Sequence, residues 1–134
     1  MPVYLTLDDT PYAAPNRRSD ADIEMSGPPP ASWYVADRST GEWVVDDARY
    51  EAERKRRIAR VDNDLRAIDA RYHSDRSWRE HVIANPDGFT PEAVERMQAA
   101  EDEAAPLRAH RSDLRNAESP DLPDYDDGDE VTNG

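Results

Sequence analysis

Cysteine is absent from this chain of 134 residues, which removes disulfides, thiolate metal sites and thiol nucleophiles together. Phenylalanine occurs once, at Phe89, and lysine once, at Lys55. No apolar run approaches the roughly 20 residues that a membrane-spanning helix requires, and the opening residues Met1-Pro2-Val3-Tyr4-Leu5 lack the basic and apolar regions of a secretory signal. A soluble protein of the cell interior or of a particle is therefore expected, with no membrane partner. Positive charge is also scarce. Seventeen Lys and Arg face thirty Asp and Glu for a net charge of −13, which argues against a nucleic-acid partner, since phosphate binding needs a basic footprint.

Apolar residues are in short supply too. They make up 37% of the chain against 35% charged, where a compact domain usually has about 45–50% apolar residues. So small a core implies an extended, partly disordered protein whose apolar strip is completed by a partner or by a second copy of itself.

The signatures of chemistry are missing as well. His73, His81 and His110 are dispersed, with no His-Glu-x-x-His or similar metal spacing. No Gly-x-Ser-x-Gly elbow and no glycine-rich phosphate loop occurs. Carboxylates are plentiful, but on stretches that read as solvated helix, with no pocket to raise a pKa. The expectation is no catalytic residue, no metal ligand and no cofactor.

What is present is a stripe. Ile58, Val61, Leu65, Ile68 and Tyr72 recur at intervals of three and four in an otherwise charged stretch, the narrow seam of a helix that packs against another helix. A second stripe follows at Ala93, Met97, Ala100, Ala104, Leu107 and Leu114, with Arg111 at the remaining seam position. The spacing predicts helices over 48–72 and over 91–116, with Asp46 or Asp47 capping the first. Thr90-Pro91-Glu92 starts the second, with Thr as the cap and Pro at the first helical position. The first helix either continues through Trp78, Val82 and Ile83 or breaks near Ser74-Asp75. Asn85-Pro86-Asp87-Gly88 reads as a turn. Pro106 is expected to kink or divide the second helix. The run Arg54-Lys55-Arg56-Arg57, flanked by acids, reads as a solvated helix face.

Ahead of the helices, Trp33-Tyr34-Val35-Ala36-Asp37 and Glu42-Trp43-Val44-Val45 flank a connection ending in Gly41, a β-hairpin signal. Trp33 and Trp43 are expected on one side with Val35 and Val45. Val3, Leu5 and Leu7 suggest a short strand. The proline-rich remainder of residues 1–32, ending in Gly27-Pro28-Pro29-Pro30, reads as an extended arm. Residues 117–134, with seven acids and no Lys or Arg, read as a disordered tail. The expected architecture is thus mainly α. It has an arm over 1–32, a β-hairpin over 33–46, a coiled-coil-like antiparallel helical hairpin over 47–116, and an acidic tail. Trp33, Tyr34, Trp43 and Trp78 are the candidate partner-binding residues, because aromatic side chains dominate interface hot spots. For Trp78 the first reading is a cap on the end of the helical bundle, its indole N–H near the loop backbone, with the binding anchor as the alternative.

The hairpin Trp33-Tyr34-Val35-Ala36-Asp37-Arg38-Ser39-Thr40-Gly41-Glu42-Trp43-Val44 and the Arg/Glu/Ala-rich helix after it come first. Thr90-Pro91-Glu92-Ala93-Val94-Glu95-Arg96-Met97 then leads into Leu107-Arg108-Ala109-His110-Arg111. Together, over residues 33–115, these resemble the C-terminal half of tail-fibre assembly proteins of tailed bacteriophages. In that family a Gly-x-Trp hairpin precedes an Ala/Glu/Arg helical pair. The resemblance implies a chaperone that binds a tail-fibre or other tail protein, in the host cytoplasm during assembly or on the virion tail, without cofactor or chemistry. The alternative is a permanent structural or accessory subunit of the tail, held by its N-terminal arm.

Overall fold

The computed structural model of the chain describes residues 1–124. The acidic tail expected over 117–134 is therefore covered only as far as Asp124, and residues 125–134 lie outside the described residues. The chain divides into two compact units, with the boundary in sequence between Glu53 and Arg54. The architecture is mixed α/β, not mainly α, because the N-terminal unit is built from strands.

In that unit β1 (Val3–Leu5) is the middle of a three-stranded antiparallel sheet, between β2 (Pro11–Ala13) and β3 (Ile23–Met25). Tyr4 stands opposite both Tyr12 and Glu24. The extended arm expected over 1–32 is corrected accordingly. Strands of three residues are too short to print an alternating pattern, and Pro11 opens an edge strand, the one place where a missing N–H is harmless. Tyr4, Leu5 and Met25 are buried. The Tyr12 hydroxyl donates to the buried carboxylate of Asp22, and the Arg18 guanidinium lies 4.4 Å above the Tyr12 ring.

Next comes the hairpin, β4 (Tyr34–Asp37) with β5 (Glu42–Val45), closed by a four-residue loop. Its faces differ from expectation. Tyr34 pairs with Val45 and Ala36 with Trp43, while Val35 pairs with Val44. Directly opposed residues share a face, so Trp43 and Val45 side with Tyr34, and Val35 lies on the other side. Gly41 has φ +75°, and a Cβ there would come within 2.7 Å of the Glu24 carbonyl oxygen. Only glycine fits both that left-handed conformation and the close approach of β3.

Helix α1 (Asp47–Tyr72) crosses the boundary between the units. Asp46 caps it, its Oδ1 accepting from the N–H groups of Ala48 (2.9 Å) and Arg49 (3.2 Å). The helix ends at His73, which has φ +52°, and the amides of His73 and Ser74 donate back to the carbonyls of Ala70 and Asp69. This is a Schellman stop, with exposed histidine where glycine is usual. Replacing His73 with Gly is expected to stabilise the helical unit by about 1 kcal/mol, the penalty an L side chain carries in the left-handed region, read as a higher urea midpoint by circular dichroism.

The break opens α2 (Arg76–Ala84), capped by Asp75, and a single 3-10 turn over Pro86–Gly88 follows. Helix α3 (Pro91–Asn116) begins with the Thr90 hydroxyl accepting from the Ala93 amide at 3.1 Å. It passes through Pro106 as one helix and does not divide there. Both Pro106 and Asp102, whose carbonyl loses its donor, face solvent. Water can take the place of the missing N–H.

Helices α1 and α3 run antiparallel, joined by Arg71–Glu103 near the turn and Arg111–Asp62 further along, both at 2.7 Å. Ile68 is buried against Ala100 and Ala104, with Leu65, Tyr72 and Leu107 around them. Val61, Met97 and Leu114 are buried too, and Ile58 is half-buried. Large residues on α1 thus fill the space left by alanines on α3.

The basic run on α1 is not a simple solvated face. The Arg54 guanidinium donates to the carbonyls of Leu114 (3.2 Å), Arg115 (2.8 Å) and Ala117 (2.9 Å), closing the C-terminal end of α3. Arg57 donates to the Pro123 carbonyl at 2.9 Å. The Arg115 carbonyl is left without a helical partner by the end of α3 and needs a donor, while that of Leu114 also accepts from the Ala117 amide at 3.4 Å. Arginine reaches them from sixty residues away.

Candidate interaction surface

The four aromatic candidates part company. Trp33 lies just before β4 and is buried, its ring edge-on to Tyr50 at 6.2 Å. It is a core residue of the N-terminal unit and presents no surface to a partner. Trp43 is half-buried, and its indole N–H donates to the Gly27 carbonyl at 2.8 Å, tying the hairpin to the chain after β3. The Ser26 amide makes a second tie to the Gly41 carbonyl at 2.7 Å.

Tyr34 and Trp43 do come together, at a cavity of about 190 Å³ with Leu5 and Ala36 at its walls and Arg38 and Arg49 beside them. Arg38 is held by the Thr6 carbonyl and by Asp9, each at 2.9 Å. Arg49 is 4.0 Å from Asp46, too far for a hydrogen bond. The cavity has room for about one side chain.

Trp78 is different. It sits in the first turn of α2 with its amide bonded to Asp75, and it is 49% exposed. Its ring packs 5.5 Å from His81 and edge-on to Phe89 at 5.6 Å, and His81 meets Phe89 edge-on at 5.7 Å. The backbone dictates this cluster. Trp78 and His81 are three apart on one helix, and the turn after α2 brings Phe89 back beside them. Buried aromatic pairs contribute to a core; a half-exposed trio with a free tryptophan face is surface available for contact.

Beneath it lies a feature that the sequence reading missed. Arg79, the residue after Trp78, is 1% exposed. Its Nε donates to Glu101 at 2.6 Å, and its Nη1 donates to Asp69 at 2.8 Å and the Ser74 carbonyl at 2.7 Å. Glu101 also accepts from Arg108 at 2.6 Å. Burial would raise the Glu101 carboxyl, but hydrogen bonds from Arg79 and Arg108 outweigh it and hold the group below the usual glutamate range. The network fixes α2 against α1 and α3 and so positions the aromatic trio. One signal was available: Arg79 stands three and four residues before Val82 and Ile83, on the apolar side of a short helix.

Among the described residues no group of three His, Asp or Glu stands close enough to hold a metal ion, and no helix is long and apolar enough to cross a membrane. These features define a small α/β protein with a helical hairpin and an exposed aromatic end. No family model matches the chain, and no curated protein or solved structure matches it either.

Proposed function

We propose that this protein is a non-enzymatic assembly factor that holds a partner protein, and that the partner is a tail-fibre protein of a tailed bacteriophage. The observation that carries the binding role is Trp78, half exposed against His81 and Phe89 on a helix whose other face is pinned by Arg79. A rigid aromatic anchor loses little entropy on binding and buries a large apolar area. The choice of partner rests on the order of elements, a glycine-turned Trp hairpin followed by an antiparallel helical pair, which is that of the family it resembles. The alternative, a permanent tail subunit held by an N-terminal arm, has less support, because β1, β2 and β3 pair with one another.

Co-expression with a tail-fibre protein of a tailed bacteriophage, followed by size-exclusion chromatography, tests the proposal. Co-elution and greater fibre solubility are expected with the natural chain. Trp78→Ser, at an exposed position, should leave the helical circular dichroism unchanged and weaken co-elution at least tenfold, as loss of a hot-spot tryptophan does. Absence of co-elution with the natural chain, together with unchanged fibre solubility, overturns it. Mass spectrometry of purified particles separates the two readings, since a permanent subunit is present at fixed stoichiometry.

A further inference from the structure

Arg108, Arg111, Ser112 and Arg115 lie at intervals of three and four on α3 and so share one face. With Asn116 they line an open cleft of about 410 Å³. Every lining side chain is a hydrogen-bond donor, and none is a carboxylate. In a chain with net charge −13 that is an inversion of the general composition.

Two of the three guanidinium groups are held in place from one side. Arg108 gives Nη2 to Glu101 at 2.6 Å. Arg111 gives Nε to Asp62 at 2.7 Å and Nη2 to the same carboxylate at 3.4 Å. A guanidinium has five N–H donors, so each keeps donors to spare. Arg115 is exposed and has no side-chain partner among the described residues. The carbonyls at this end of α3 would repel an anion, but Arg54 covers those of Leu114, Arg115 and Ala117. Asp113, the nearest acid along the helix, falls on a different side by the 100° step of the α-helix.

We propose that this cleft binds a small, multiply charged oxyanion, whose oxygens match the paired N–H groups of fixed arginines. Its volume lies within the roughly 300–1,000 Å³ of small-ligand sites. A long polyanion is disfavoured because the acidic remainder of the chain would repel it. The ligand is a phosphate ester or a polycarboxylate, two sources of the same oxyanion chemistry.

Isothermal titration of the full chain with pyrophosphate, citrate and chloride, at matched ionic strength, tests this. Saturable binding of pyrophosphate or citrate, with none of chloride, is expected. Tighter binding of pyrophosphate identifies the phosphate source, and tighter binding of citrate the carboxylate source. Arg115→Gln should weaken binding about tenfold, the worth of one charge-assisted hydrogen bond, with the melting curve in anion-free buffer unchanged. Ser112→Glu, which places a carboxylate in the cleft, should weaken it as well. Failure of both anions to saturate, undiminished affinity in both variants, or tighter binding of a DNA duplex than of pyrophosphate would overturn the proposal.

Discussion

Replacing Arg79 with alanine is expected to destabilise the helical unit by about 3 kcal/mol, at the lower end of the roughly 3–5 kcal/mol found when one partner of a buried ion pair is removed. The lower end applies because the carboxylates are not stranded equally. Glu101 keeps Arg108, and Asp69 is exposed enough to be hydrated. The Ser74 carbonyl also loses its donor. Urea unfolding followed by helical circular dichroism measures the loss.

A pH signature accompanies it. The Glu101 carboxyl is held below its ordinary value of 4.5, so the stability it contributes is fully present above that value. It is lost as pH falls through the lower folded-state value. Glu103, lowered first by the Tyr72 hydroxyl and then by Arg71, acts in the same direction, though it is more exposed. Acidification below about pH 4.5 should therefore lower the urea midpoint. In Arg79→Ala the fall should be shallower, since one of the two hydrogen bonds holding Glu101 down is gone. An equally steep fall in the variant would show that Glu101 is not held by Arg79.

The second large effect has the opposite sign. Pro106→Ala is expected to stabilise the helical unit by up to about 3 kcal/mol, the difference between proline and alanine in a helix interior. The substitution restores a donor to the Asp102 carbonyl and removes the ring from the turn before it. Position 106 is exposed, so no packing is lost. A raised thermal midpoint with unchanged helical content checks this. No change would mean that α3 bends around the proline without strain.

Local rules were the legible part of the fold. Asp46, Thr90-Pro91 and the loop ending in Gly41 each carry their signal within a few residues, and the helices and hairpin they bound are where those signals place them. The seam was legible because a period of three and four over fifteen residues is hard to produce otherwise. Pairings between distant segments were not. Strands β2 and β3 are three residues each and exist because β1 lies between them. The facing of Trp43 depends on a register that composition does not specify. Arg79 finds its carboxylates ten and twenty-two residues away, and Arg54 finds its carbonyls sixty or more away. Of the surface, Trp78 was visible as an aromatic in a polar stretch. The company of His81 and Phe89 depends on the geometry of the turn.

The cross-links between α1 and α3 span steadily growing stretches of chain: 32 residues from Arg71 to Glu103, 49 from Asp62 to Arg111, and 61 from Arg54 to Arg115. Because closing a loop grows only logarithmically dearer, about 0.6 kcal/mol for each doubling, the step from first link to last adds little beyond the initial closure. Shorter loops close at the lower entropic cost, so the expected order of assembly is a zipper whose slider starts at Tyr72 and whose far buckle at Arg54 fastens last. Damage beside the starting point is then expected to slow folding, and damage at the buckle to hasten unfolding, as read by stopped-flow kinetics.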